Sequence, residues 1–354
     1  MTVLENIFNK KRSLSVEQFV NKSLYKRNIG YYQNRNPFGK DGDYITSPSV
    51  SPIFSEMMGV WIVSFWESLN KPKNFNIVEL GPGNGQMCKV MSNLFQKFPE
   101  FYRSVNIFLF EKSIILKKIQ KIEVNSSKVK WISNFNKIKK GPVLFLGNEF
   151  FDAIPIKQFI RKKNLYYERF VELKGKNSLK FKLKKASQKE VKKILKFKIL
   201  KKSNFIEYPQ IGFEILDKII NVLKKRGGGI LLIDYGYIQQ QQKSTIQSIK
   251  KHKKTNFLKS IGKSDITSLV NFKLLNEYFI KKHLDVSKIV SQSFFLKRVG
   301  ILDRAEIISR KMNFRQKADL YIRLKRLLHP KIMGNLFKVI LACSNVKKKK
   351  LGFD

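Results

Sequence analysis

The chain has 354 residues, 43% of them apolar, and a formal net charge of +45 at pH 7. This length suits one large α/β domain with additions or two domains, and the apolar content is ample for a core. The sequence has no run of about 18 apolar residues that could cross a membrane and no evident signal peptide, and its two cysteines and three histidines show no metal-ligand or Ser-His-Asp pattern.

The first 72 residues predict helices and a loop. Apolar residues at helical spacing indicate a helix over 15–28, where Ser15 and Gln18 can form a capping box. Glycines and prolines between residues 30 and 52 predict irregular structure. A second helix is expected over 53–69.

From residue 73 onward, candidate strands and helices alternate. The strands are short continuous apolar runs, which is typical of parallel strands buried on both faces. They are expected at 76–80, 106–110, 129–132, 143–147, 230–233, 288–291 and 337–341. Helices are expected at 86–98, 211–225, 268–281 and 304–328. This order predicts a doubly wound, Rossmann-like α/β sheet with helices on both faces.

Residues 156–202 interrupt this alternation. Their period-two pattern, as in Leu179-Lys180-Phe181-Lys182, predicts an antiparallel, hairpin-rich insertion with a solvated lysine face. Residues 161–202 carry 17 basic and 3 acidic side chains. A surface that docks nucleic acid or an acidic protein is the alternative. However, only 13 of the 71 basic residues of the chain are arginine, so its lysine-rich composition also indicates an AT-rich genome.

We therefore divide the chain into four parts. Residues 1–72 form the N-terminal helices and an active-site loop, and residues 73–155 the first half of the core. Residues 156–205 are the basic insertion, and residues 206–354 the second half of the core with helical additions.

Three glycines at alternate positions follow the first core strand: Gly81, Gly83 and Gly85, preceded by Glu79. Glycines let the backbone approach a ligand closely and adopt positive φ. The spacing differs from the dinucleotide fingerprint Gly-x-Gly-x-x-Gly. It is similar to the first motif of S-adenosylmethionine-dependent methyltransferases; a turn without a ligand is the alternative.

Polar residues also end the next strands, where open α/β sheets bind their ligands. Glu111 can accept hydrogen bonds from both hydroxyls of a ribose, or it can be an acid that favours a helix start. Asn148, Glu149 and Asp152 surround two aromatics, which indicates a pocket for a cationic nitrogen; a capped helix start is the alternative. Asp43 lies in a constrained loop before the core.

Together these segments resemble the MidA-type methyltransferases, whose mitochondrial member is the arginine methyltransferase needed for assembly of respiratory complex I. The resemblance rests on residues 42–48, 78–85, 148–155, 233–236 and 334–339. Ser49, Tyr237 and residues 269–272 depart from the family pattern on the substrate side.

The resemblance implies a seven-stranded methyltransferase core, an S-adenosylmethionine cofactor and arginine methylation of a protein, a subunit of complex I (NADH dehydrogenase). We expect Glu79, Gly81, Gly83, Gly85, Glu111 and Asn148 to bind the cofactor, and Glu149, Asp152 and Asp43 to act on the substrate. We expect no metal, no membrane insertion, no specific nucleic acid and a bacterial cytoplasmic location. The alternatives are a nucleic-acid methyltransferase and a non-catalytic assembly factor that has kept the fold.

Overall fold

The computed structural model describes residues 2–34, 37, 46–175, 178–250, 253–346 and 351–353. The helices of these residues are α1 (Val3–Phe8), α2 (Val16–Tyr25), α3 (Tyr31–Asn34), α4 (Ser47–Val50), α5 (Pro52–Ser68), α6 (Gln86–Phe95), α7 (Pro99–Ser104), α8 (Ile114–Val124), α9 (Gln188–Leu195), α10 (Gln210–Arg226), α11 (Phe272–Lys281), α12 (Gln292–Val299), α13 (Ile301–Ser309) and α14 (Phe314–Leu328). Among the same residues, no helix is both long enough and apolar enough to span a bilayer.

The strands of the described residues are β1 (Ser13–Ser15), β2 (Phe75–Leu80), β3 (Val105–Phe110), β4 (Val129–Ile132), β5 (Val143–Asn148), β6 (Lys157–Lys162), β7 (Leu165–Lys174), β8 (Ser178–Lys185), β9 (Phe205–Tyr208), β10 (Gly228–Tyr237), β11 (Gln247–Lys250), β12 (Lys253–Thr255), β13 (Asp265–Thr267), β14 (Val270–Asn271), β15 (Asp285–Val286), β16 (Val290–Ser291) and β17 (Phe337–Ser344). The chain forms two compact units. One comprises Met1–Tyr44, Asp152–Asp217 and Tyr237–Tyr278, and the other Ile45–Phe151, Lys218–Gly236 and Phe279–Asp354.

The second unit contains the large sheet, in which neighbouring strands follow the order β15-β17-β10-β5-β2-β3-β4. The five strands from β10 to β4 are parallel, and β17 is antiparallel to β10. Because β10 pairs along all of β17, the short strands β15 and β16 share the other edge of β17. The described strands therefore occupy seven positions, and the predicted doubly wound core is confirmed.

Every residue of β2 and β5 is buried, so this sheet is covered on both faces. Alternate side chains such as Ile77 and Leu144 join a core with Trp61 and Phe65 of α5. Helices α5 and α6 approach closely at Gly59, where a Cβ atom would lie 2.4 Å from the side chain of Leu94. The two cysteines, Cys88 and Cys343, are buried and are not joined by a disulfide.

The first unit contains an antiparallel sheet in the order β1-β7-β6-β9, with β8 also paired to β7, and a three-stranded sheet in the order β12-β11-β13. The lysines of β8 are exposed as predicted. Lys180 and Lys182 flank the Glu172 carboxylate on β7, at 3.2 and 2.8 Å. The hairpin prediction is wrong for residues 188–195, which form α9. That helix begins where the Ser187 hydroxyl accepts a hydrogen bond from the Glu190 N–H.

Three further predictions of secondary structure need correction. Residues 304–328 form two helices, because the side chain of Asn313 caps a new helix through the Gln316 N–H. In the segment 268–281, the helix starts only at Phe272, because the side chain of Asn271 caps it by accepting a hydrogen bond from the Leu274 N–H. The segment 30–52, expected to be irregular, contains the short helices α3 and α4.

Candidate functional site at the carboxyl ends of the parallel strands

The chain between β2 and α6 is a tight turn built on three glycines. Gly81, Gly83 and Gly85 have φ angles of +61°, +56° and +87°. Residues other than glycine rarely adopt positive φ angles. The Gly81 N–H donates to the carbonyl of Phe110 on β3, at 3.0 Å. The turn is thereby fastened to the neighbouring strand.

The glycines also allow neighbouring side chains to approach the turn closely. A Cβ atom on Gly81 would lie 2.9 Å from the Phe150 ring, and one on Gly85 would lie 3.0 Å from Val124. Both distances are too short for ordinary packing. The turn therefore presents bare backbone to whatever lies against it.

Glu79 lies inside the sheet, one residue before the end of β2. Its side chain is 2% exposed, and among the described residues no group donates a hydrogen bond to its Oε2 atom. Burial raises the pKa of Glu79 to about 8, since a charged carboxylate is costly away from water. A cation placed beside this oxygen would lower that cost.

Glu111 follows β3 and is held in one orientation. Its Oε1 accepts the N–H groups of Lys112 and Ser113, both at 2.7 Å, and its Oε2 accepts from Nε2 of Gln120 at 3.3 Å. Burial raises the pKa of Glu111, and these donors oppose that shift. Carboxylate oxygens have further lone pairs, so Glu111 can still accept from a ligand hydroxyl.

Gln120 of α8 was not among the predicted site residues. Its Nε2 also donates to the carbonyl of Gly83 at 2.7 Å, so it links Glu111 to the glycine turn. One signal in the sequence could have identified it. The apolar residues of 114–124 have helical spacing, and this spacing places the polar side chain of Gln120 on the buried face of the helix. The apolar pattern of this segment had not been interpreted as a helix.

Asn148 ends β5 and Glu149 follows it, next to the glycine turn. Glu149 has a φ of +50°, and its N–H donates to the carbonyl of Ile233 on β10 at 2.9 Å. Its Oε1 accepts from the Ser47 N–H at 2.8 Å and from Nδ2 of Asn148 at 3.2 Å. Among the described residues no donor reaches Oδ1 of Asn148, which is buried. Strained, polar residues at such a point are typical of a functional site.

Asp234 stabilises the backbone that follows. Its side chain is buried, and it accepts the N–H groups of Phe151 and Tyr235, both at 2.8 Å. This acid within β10 therefore fixes the turn after β5.

Two predicted substrate residues remain, Asp152 and Asp43. Asp152 belongs to the first unit, where its carbonyl accepts the Ser268 N–H at 3.0 Å and burial raises its pKa above the ordinary value. Asp43 lies outside the described residues. In the part of the chain that the structure describes, no group of three or more His, Cys, Asp or Glu side chains could hold a metal ion.

These residues fit the cofactor that the resemblance implies. S-adenosylmethionine carries a sulfonium, an ammonium group and a ribose. The bare backbone of the glycine turn can lie against its chain. The orphaned oxygens of Glu79 and Asn148 are acceptors for a cation, and Glu111 is an acceptor for hydroxyls. Sequence reasoning had placed all four features at this edge.

Comparisons with known proteins agree with this geometry. The sequence model of a family described as "Putative S-adenosyl-L-methionine-dependent methyltransferase" matches residues 57–290. The mitochondrial protein arginine methyltransferase NDUFAF7 of Danio rerio is 26% identical over 348 residues, covering 92% of this chain and 82% of that protein. The Homo sapiens protein of the same name is 26% identical over 349 residues, covering 92% of this chain and 78% of that protein.

A solved structure is similar over nearly the whole chain. It is a Burkholderia thailandensis protein bound to S-adenosyl-homocysteine, with a TM-score of 0.84 at 20% identity, covering 98% of this chain and 92% of that one. The native crystal structure of a Burkholderia thailandensis protein gives a TM-score of 0.83 at 19% identity, covering 98% of this chain and 92% of that one. At this identity, the likeness establishes the fold.

Gly81→Ala should weaken binding of S-adenosylhomocysteine by at least about tenfold, or 1.4 kcal/mol. The added Cβ meets the Phe150 ring and fills the turn. Gly175→Ala is the matched control, because Gly175 has a φ of +66° and nothing within 4 Å of a Cβ atom. Both variants should lose about 1–2 kcal/mol of stability from the positive φ. Calorimetry that finds equal affinity for the two variants would contradict this role of the turn.

Glu79→Gln should change how stability depends on pH. The folded protein holds the Glu79 proton up to about pH 8, whereas the unfolded chain releases it near the ordinary pKa of 4.5. The stability that Glu79 contributes is therefore full below pH 4.5 and lost as pH rises through 8. Urea unfolding should show the stability of Glu79→Gln gaining about 2.7 kcal/mol relative to wild type between pH 6 and pH 9, because pH 6 lies two units below the folded pKa and each unit is worth about 1.36 kcal/mol. A difference that stays constant with pH would show that Glu79 is ionised when folded.

Proposed function

Because the chain belongs to the family of S-adenosyl-L-methionine-dependent methyltransferases whose model it matches, we propose that its methyl acceptor is an arginine side chain of a protein. The relatives named protein arginine methyltransferase support this acceptor, since the similarity extends over 92% of the chain. The observation that carries the proposal is Glu149, a carboxylate held in strained backbone directly before Phe150, whose ring lies against the glycine turn.

The cofactor supplies a methyl group that a sulfonium sulfur already activates. The residues of this chain then have two tasks: to hold the acceptor in line with that methyl group and to exclude water. A guanidinium is planar and has five N–H donors, which suit carboxylate acceptors. We assign its binding to Glu149 and Asp152, with Asp43 as a further candidate.

On the cofactor side, we assign the ribose hydroxyls to Glu111 and the cationic end to Glu79 and Asn148. The backbone of Gly81, Gly83 and Gly85 lies along the ligand. Burial that raises the pKa of Glu79 supports this assignment, because a positively charged ligand would restore its ionised form.

We further propose that the protein acts in the cytoplasm on a subunit of respiratory complex I. The resemblance to a family whose mitochondrial member serves complex I assembly supports this partner. The test is to incubate the purified protein with methyl-labelled S-adenosylmethionine and the complex I subunits of its host, and then to locate the label by mass spectrometry. Label on arginine, lost when that arginine is replaced by lysine, is the expected result. Label on another residue type would overturn the acceptor.

Glu149→Gln should lower turnover on such an arginine peptide by about thirtyfold or more and leave cofactor affinity unchanged. Removing one partner of a buried charged hydrogen bond costs about 2–5 kcal/mol, at 1.36 kcal/mol per tenfold in rate. Glutamine keeps the acceptor oxygen for the Ser47 N–H, so the loop should stay in place. The control is Glu100→Gln, an exposed acid that pairs with Lys71. Full turnover of Glu149→Gln would assign binding of the guanidinium to Asp152 or Asp43 instead. Loss of cofactor binding would show that Glu149 contacts the cofactor.

The net charge of +45 favours nucleic acid as the alternative acceptor. We propose that the basic insertion is not a specific nucleic-acid site, since Lys180 and Lys182 are engaged with Glu172 and the surface is poor in arginine. Fluorescence anisotropy with labelled RNA should show weak binding that is indifferent to sequence at low salt. Binding should vanish near about 150 mM salt as counterion release weakens. Stoichiometric nanomolar binding at that salt would favour a nucleic-acid methyltransferase instead.

A further inference from the structure

Gln120 lies in the middle of α8 and is completely buried, with 0% of its surface exposed. Its amide makes three hydrogen bonds to other parts of the chain. Nε2 donates to the carbonyl of Gly83 at 2.7 Å and to Oε2 of Glu111 at 3.3 Å, and Oε1 accepts from Nε1 of Trp131 at 2.9 Å. A buried amide satisfied on both sides has one strongly favoured orientation.

Trp131 determines which way the amide faces. An indole N–H can only donate, so the oxygen of Gln120 must point toward it. The two N–H groups of the amide then face the Gly83 carbonyl and the Glu111 carboxylate. A reversed amide would place its oxygen against both acceptors, which is unfavourable on all three contacts.

The structure assigns to Gln120 a positioning role: it fixes the Glu111 carboxylate relative to the glycine turn, so that the cofactor site selects ribose over deoxyribose. This inference rests on the proposed contact between Glu111 and the ribose. Gln120 acts through Glu111 and the turn, and needs no contact with the ligand itself. Its backbone also lies close to the turn, because a Cβ atom on Gly85 would lie 3.4 Å from the Cα of Gln120.

Losing the amide should have a specific consequence. Without the Nε2 donor, Oε2 of Glu111 loses its hydrogen bond to Gln120. Only Oε1 then remains bonded, to the Lys112 and Ser113 N–H groups, so the carboxylate can rotate. The ribose hydroxyls then meet an acceptor that must be ordered on binding, which weakens a ligand that has both hydroxyls. A ligand that lacks the contacted hydroxyl should lose little binding affinity, because it makes no hydrogen bond to Glu111 in the wild-type protein.

The experiment measures calorimetric dissociation constants for S-adenosylhomocysteine and its 2′-deoxy and 3′-deoxy analogues. The proteins are wild type, Gln120→Leu, Gln120→Glu and Gln96→Leu. Leucine keeps the approximate shape of Gln120 and removes its polar atoms. Gln96→Leu is the matched control, since Gln96 is exposed just after α6.

Wild type and Gln96→Leu should bind the parent ligand at least about tenfold more tightly than one of the deoxy analogues. Gln120→Leu should bind the parent ligand about tenfold more weakly than wild type does, and that analogue less than threefold more weakly. The selectivity for the parent ligand should therefore disappear. Gln120→Glu should lose at least as much as Gln120→Leu, because its second oxygen faces the Glu111 carboxylate and the Gly83 carbonyl. Thermal unfolding of each variant records its folded state.

Equal losses for all three ligands in Gln120→Leu would overturn the inference, since they would show that the residue merely supports the turn. Equal affinities of wild type for all three ligands would also overturn it, by removing the ribose contact. No methyl acceptor is present in these titrations. A failure to methylate arginine would therefore leave their outcome unchanged, and the two proposals fail separately.

Discussion

The parallel register of β3, β2, β5 and β10 is the constraint on which the candidate site depends. Leu80 of β2 lies opposite Phe110 of β3 and Gly147 of β5, and Ile233 of β10 lies opposite Asn148. Strands β2, β3 and β5 therefore end at one edge, beside Asp234 of β10, and the residue that follows each of these three strands reaches the same region. A slip of one residue would turn the side chains of a strand to the opposite face.

Polar contacts among the loops convert this edge into a defined surface. Phe110 holds the glycine turn through its carbonyl, and Asp234 holds the backbone after β5. Glu149 is held from two sides, by the carbonyl of Ile233 and by the N–H of Ser47. Each bond joins segments that are distant in sequence, so no loop of the site keeps its geometry alone. Methyl transfer needs such preorganisation, because alignment is the main contribution of the protein.

The sequence allowed the fold and one side of the site to be predicted, because these leave local signals. Buried parallel strands are continuous apolar runs, and the glycine turn needs residues that adopt positive φ, as Gly81 and Gly85 do. Gln120 escaped prediction because its partner Gly83 lies 37 residues away, and no local pattern marks a bond of that kind. The helix α9 was missed for a different reason: Ser187 and Glu190 carry a capping signal that the alternating lysines before it obscured.

The strain at Glu149 implies a conflict between stability and activity at that position. A glycine there would adopt the φ of +50° at lower cost, since a residue with a side chain in this region costs about 1–3 kcal/mol. Glycine would also delete the carboxylate that accepts from Ser47 and Asn148. Selection for stability alone would therefore favour a residue that removes the proposed chemistry. Any attempt to make this protein more heat-resistant by relieving backbone strain should leave residue 149 untouched.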